Sequence, residues 1–167
     1  MENYIVINGK KAELTIEQLK ALGIEVEKHN PFTRELRTGD VIYCISECGE
    51  LGVNYNANST HSDMIYSVAN YCTDRDIMQQ RAYNETLSRL LWRYSMEHDG
   101  DKIDWSKGTR QRKYKILHSL DANMFNVSWV YNCENIFTPY FISQGVAEAA
   151  IKEIIKPFME AHPDFKF

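Results

Sequence analysis

The residues best suited to chemistry in this chain are cations gathered into one stretch. Lys102, Lys107, Arg110, Arg112, Lys113 and Lys115 fall within 14 residues and share that stretch with a single carboxylate, Asp104. A cationic patch on an otherwise acidic protein is suited to an anion, a nucleic acid or an acidic protein surface. Trp105 and Tyr114 lie among these charges, and such rings can stack on bases or anchor a protein contact. Arg89 and Arg93, on a helix predicted just upstream, extend the patch as a basic ridge. Strand alternation puts Arg112 on the opposite face from Lys113 and Lys115, so the charges do not form one row.

The remaining reactive residues make no familiar constellation. Cys44 and Cys48 form C-x3-C rather than the C-x2-C of a zinc knuckle, and Cys72 and Cys133 do not answer them as a second pair. No metal is expected. Cys72 precedes a predicted helix, where the dipole favours a thiolate, with His98 and His118 as distant bases; packing is the simpler role. The five histidines, His29, His61, His98, His118 and His162, include no i, i+4 pair. Asp99–Asp104 superficially resembles a calcium loop but lacks the glycine and glutamate positions of an EF-hand. No phosphate-binding glycine loop, nucleophile elbow or H-E-x-x-H is present. No cofactor and no enzymatic activity are expected.

The elements that carry these residues read as an α+β domain. Tyr4–Ile7 and Lys11–Leu14 flank Asn8-Gly9, the strongest two-residue hairpin signal. Thr15 is expected to cap a short helix through a capping box with Gln18, ended by Gly23. Residues 25–39 read as a linker through Asn30-Pro31. From residue 40 the pattern gives strands at Val41–Ser46, Leu51–Tyr55 and Met64–Val68. Thr73 is then expected to cap a helix from Asp74 to Glu97 with Ile77, Tyr83, Leu87, Leu90, Leu91 and Tyr94 on its buried stripe. Strands follow at Lys113–Leu120, Met124–Tyr131 and Phe137–Ile142. Ser143 caps a last helix, which Pro157 is expected to kink or end. The expectation is an N-terminal hairpin and helix (1–24), a linker, and a domain over 40–167. That domain is built from two β-β-β-α halves at about 40–99 and 105–162, which share one antiparallel sheet or make two packed ones and carry a weak repeat around Tyr71 and Tyr140.

Composition sets the outer bounds. The chain has 167 residues, 44% apolar and 25% charged, which is enough to bury a core without disulfides or metal. Its net charge of −4 is unevenly spread. Residues 73–115 carry ten basic and seven acidic side chains, whereas 1–72 carry six and ten, and 116–167 three and six. An acidic chain is a poor candidate for a dedicated duplex binder. No apolar run approaches the ~20 residues of a membrane span, and Met1-Glu2-Asn3 does not open a signal peptide. A cytoplasmic location without membrane attachment is expected.

Several stretches stand out together: Asn30-Pro31-Phe32, Asn70–Asp74, Arg81–Leu87, Leu90–Met96 and His98–Trp105, with Leu14–Gly23 and Ile151–Met159 towards the two ends. In these the chain resembles a family of small uncharacterised proteins found in phages and prophages of gut Firmicutes. Cys44 and Cys48 depart from the aromatic or polar residues expected there. The resemblance implies a mobile-element accessory protein of the kind that binds and blocks host defence proteins, including CRISPR effectors. Trp105 and Trp129 are its natural anchors. The alternative is a nucleic-acid-binding accessory or regulator that uses the 102–115 segment.

Overall fold

The computed structural model describes residues 4–7, 10–13, 18, 21–23, 30–33, 38–56, 59–119, 121–131 and 138–166. Among them the chain is α+β, with short antiparallel two-stranded sheets and helices packed between and beside them. Strands β1 (Tyr4–Ile7) and β2 (Lys10–Glu13) pair antiparallel with Tyr4 opposite Glu13. The expected turn at Asn8-Gly9 and the Thr15 cap lie outside the described residues. Gln18 and Ala21 are helical, and Gly23 follows at φ +72°.

The second hairpin joins β3 (Val41–Ile45) to β4 (Leu51–Tyr55) through a turn that Gly49 closes at φ +86°. The stretch expected as a third strand, Met64–Val68, is instead the last turn and C-cap of helix α1 (Thr60–Ser67). Its short apolar run fits either period. The difference lies at the ends: Ser59 caps the helix by accepting from the Ser62 N–H, and Asp63 stands in the first turn. Ala69 at φ 55° then closes it, with Asn70 N–H bonding Ile65 O and Ala69 N–H bonding Tyr66 O, a Schellman arrangement.

Helix α2 (Arg75–Glu97) is the rod around which the rest is arranged. Its cap is Asp74, one residue later than expected, because Thr73 is engaged elsewhere. Thr73 bonds the Pro31 carbonyl through its N–H and hydroxyl, while the Asp74 carboxylate accepts from Asp76 and Ile77. The buried stripe is Met78, Ala82, Leu87, Tyr94 and Ser95; Ile77 faces outward. The N-terminal half packs Met78 and Ala82 against Ile45 and Cys72. The C-terminal half packs Leu87 and Tyr94 against the last hairpin and the C-terminal helices.

That hairpin pairs β5 (Lys113–Ser119) with β6 (Met124–Val130), and Tyr114, Ile116, Phe125 and Val127 face the core. Phe137–Ile142 does not form the third strand expected of it. Phe137 lies outside the described residues, 138–140 are irregular, and Phe141 makes one antiparallel bridge to Tyr114. Pro139 lacks an N–H for a ladder. The Tyr140 carbonyl is taken by the buried Ser95 hydroxyl. In the first half Cys72 makes the corresponding single bridge to Tyr43. Tyr71-Cys72 and Tyr140-Phe141 therefore stand alike, each three residues from tyrosine to helix cap (Asp74, Ser143). The β-β-β-α reading is corrected to two hairpins, each closed by one bridge.

Helix α3 (Gln144–Ala150) continues through a π turn at Ile151–Ile155 into α4 (Lys156–Ala161). Pro157 does not end the helix. The wider turn just before it, with Lys156 N–H reaching Ile151 O, makes room for a ring that would otherwise meet the carbonyl four residues back.

Candidate interaction surface

The sequence-derived site residues separate into three environments. The first is interior. Lys113 is fully buried, and its ammonium donates to Tyr131 O at 2.9 Å and Gln111 O at 3.3 Å beneath the Trp105 ring, 4.9 Å away. A lysine so enclosed is structural, and the expected phosphate contact at 113 is corrected on that ground. Its cover is a 3-10 segment, Trp105–Arg110, which Asp104 caps through Ser106. The two Ser106 hydrogen bonds and then Lys107 hold the Asp104 carboxyl below the usual carboxylate range.

The second is the open end of the β5–β6 hairpin. Arg112 lies opposite Tyr131 by extension of the register and on the other face from Lys113 and Lys115. Its Nε donates to the Tyr131 hydroxyl at 3.2 Å and its guanidinium covers Trp129 at 4.9 Å. Trp129 is 48% exposed.

The third joins α2 to the 138–141 segment. Arg89, Trp92, Arg93 and Met96 follow i, i+3, i+4, i+7 spacing and all face outward, a second stripe on the helix. Trp92 is 59% exposed and, with Arg89 and Ser88, forms one wall of a cleft of about 360 Å3 whose other wall is Thr138 and Pro139. The same segment leads through Tyr140 to Trp105, whose rings meet edge to face at 5.0 Å. The structure thus places Arg89 beside the same 138–140 segment that meets Trp105, whereas Arg93 lies one turn further along the helix, paired with Glu97. Trp92 was not among the sequence-derived candidates. Its signal was there to read: a large apolar residue off the buried stripe, between two arginines.

The cations are mostly engaged. Lys102 pairs with Asp99 at 2.7 Å, Lys107 with Asp104 at 3.5 Å, Arg89 with Glu85 at 3.4 Å and Arg93 with Glu97 at 3.8 Å. Arg110 and Lys115 are left without a carboxylate among the described residues. The helix therefore presents alternating signs rather than a cationic track.

Burial raises the thiols of Cys44 and Cys72; at Cys72 the nearby Asp74 carboxylate adds to the rise, opposing backbone hydrogen bonds. A nucleophilic cysteine needs the reverse. Among the described residues no group of three or more His, Cys, Asp or Glu side chains is placed to hold a metal, and no helix is long and apolar enough to cross a membrane. Cys133 and His29 lie outside the described residues. Comparison with known protein families, curated proteins and solved structures finds no match.

Proposed function

We propose that this chain is a non-enzymatic accessory protein that works by occupying a surface of another protein. In keeping with the phage and prophage resemblance, the target class is a host defence protein such as a CRISPR effector nuclease. The observation that carries the binding role is Trp92, a tryptophan more exposed than buried, on a rigid 23-residue helix between Arg89 and Arg93 and beside a cleft. Exposed Trp and Arg on a preorganised element supply most of the energy in protein interfaces.

The pairing of Lys102, Lys107, Arg89 and Arg93 with carboxylates favours a protein partner over nucleic acid. A phosphate track needs cations whose counter-ions are released on binding. Exposed ion pairs are worth ~1 kcal/mol or less and can exchange for a partner's carboxylates. The complementary surface is an apolar pocket rimmed by acidic groups.

A tagged pull-down from bacterial host lysate, with and without nuclease, tests this reading. A stoichiometric protein partner that survives nuclease supports it. Enrichment that vanishes with nuclease transfers the function to nucleic acid and to Arg110 and Lys115.

A further inference from the structure

The outer edge of β6 can be read residue by residue. Tyr114 exchanges both of its backbone hydrogen bonds with Phe141, at 3.0 and 2.8 Å, so its N–H and C=O point away from β6. Antiparallel pairs alternate, so Lys113, Lys115, Leu117 and Ser119 bond towards β6. Their partners, Val130, Ser128, Asn126 and Met124, bond towards β5. Val127 and Trp129 therefore turn their backbone groups outward, and no strand pairs with that edge among the described residues.

The composition of β6 is unusual for an open edge. Met124–Val130 reads MFNVSWV, seven residues with no charge, no proline and no glycine. Exposed edges are normally blunted by lysine, proline, a bulge or shortness. The edge strand of the other hairpin, β4, is five residues long and broken by Gly52. Met124 and Trp129, at the two ends of β6, are 56% and 48% exposed.

We infer that β6 pairs antiparallel with β6 of a second copy of this chain through Val127 and Trp129, making a four-stranded sheet across a two-fold axis at Ser128. In this register Val127 exchanges hydrogen bonds with Trp129 of the second copy, and Trp129 with its Val127. The indole then lies on the valine of the other copy, on the face that carries Phe125. Ser128 meets its own copy on the opposite face.

A second copy fits better than a charged partner because the strand offers nothing for a charge to pair with. The flanking cations do not oppose it. β5 and its copy stand three strand spacings apart, about 14 Å. That exceeds the roughly 8 Å Debye length at physiological salt, so Lys115 is screened from its counterpart, while the Arg112 guanidinium stays stacked on Trp129 of its own copy.

Sedimentation over a concentration series, combined with residue-resolved amide exchange on the full chain, tests this. A reversible dimer is expected, with the Val127 and Trp129 amides slowed roughly tenfold or more in the concentrated sample relative to the dilute one. The Asn126 and Ser128 amides, bonded to β5, should be protected in both. Val127→Pro would also remove a core-facing side chain, so Trp129→Pro, which takes away an outward N–H at a half-exposed position, is the variant expected to yield a folded monomer. A wild-type chain that stays monomeric overturns the inference, as does protection of the 127 and 129 amides that does not change with concentration. Rapid exchange there within a dimer overturns it too, by placing the interface elsewhere.

Discussion

The side-chain amide of Asn70 closes both backbone groups of Ile45. Its Oδ1 accepts from Ile45 N–H at 2.6 Å and its Nδ2 donates to Ile45 C=O at 2.8 Å. One side chain thus stands where the next residue of a third strand would stand, two positions before the Cys72 bridge. Removing it strands a donor and an acceptor at a part-buried edge. Asn70→Ala should cost about 2 kcal/mol, from ~1 kcal/mol or more for each lost bond. Asn70→Asp keeps the acceptor but sets a carboxylate oxygen against the Ile45 carbonyl in place of the donor, and should cost at least as much as alanine. Urea unfolding midpoints check the order; an unchanged midpoint for the alanine variant would contradict it.

Two glycines with similar backbones should respond differently to alanine. Gly23 and Gly49 both have positive φ, +72° and +86°. A Cβ at 23 meets nothing within 4 Å, whereas at 49 it falls 2.5 Å from Thr86 Oγ1, the hydroxyl that donates to Gly49 O. Gly23→Ala should cost ~1 kcal/mol, the left-handed penalty alone. Gly49→Ala should cost clearly more, and the excess should shrink when Thr86→Ala is also present. A double-mutant cycle reads this directly, and purely additive effects would refute the clash.

Part of this architecture is legible in the sequence. The hairpins at 41–55 and 113–130 are, because alternation and turn residues agree. The start and direction of α2 are, within one residue, because Thr73 and Asp74 are both capping types and only the distant Pro31 carbonyl decides between them. Met64–Val68 reads as a strand because so short a run, four apolar residues and Ser67, has no period of its own, and the deciding Ser59 cap and Ala69 closure are local signals outside it. Lys113 was misread for a different reason. Alternation places it on the outer face of β5, and its cover, Trp105, arrives through tertiary packing that no local pattern encodes.

The two lysines of β5 should therefore separate. Lys113→Met leaves the Tyr131 carbonyl without its ammonium and uncovers part of Trp105. It should destabilise by about 2 kcal/mol and shift Trp fluorescence. Lys115→Ala should stay within ~0.5 kcal/mol of the wild type, as surface changes do. Thermal melts followed by fluorescence test both; equal losses would contradict the assignment.

Alkaline pH should loosen the C-terminal helices. Burial, then the hydrogen bond to Glu153, raises the ionisation of Tyr94; burial, then Asp164, raises that of Tyr83. Each folded value lies above the unfolded value of 10.0. The folded state therefore holds the proton more tightly, and the stability this contributes is complete below pH 10.0 and lost as pH climbs through the raised values. Spectroscopic tyrosine titration alongside unfolding at several pH values checks this. Glu153→Gln should lower the Tyr94 ionisation only partly, because burial is its larger cause. A full return to the unfolded value would reverse that ranking.

Action on a protein partner through the outward stripe of α2 is tested by capture from nuclease-treated host lysate, with wild type and Trp92→Ala compared at equal folded concentration. A discrete partner is expected, with an affinity that falls ~30-fold or more in the variant, the loss of about 2 kcal/mol expected of an anchor tryptophan. Undiminished capture by Trp92→Ala, with its fold intact by circular dichroism, would contradict it.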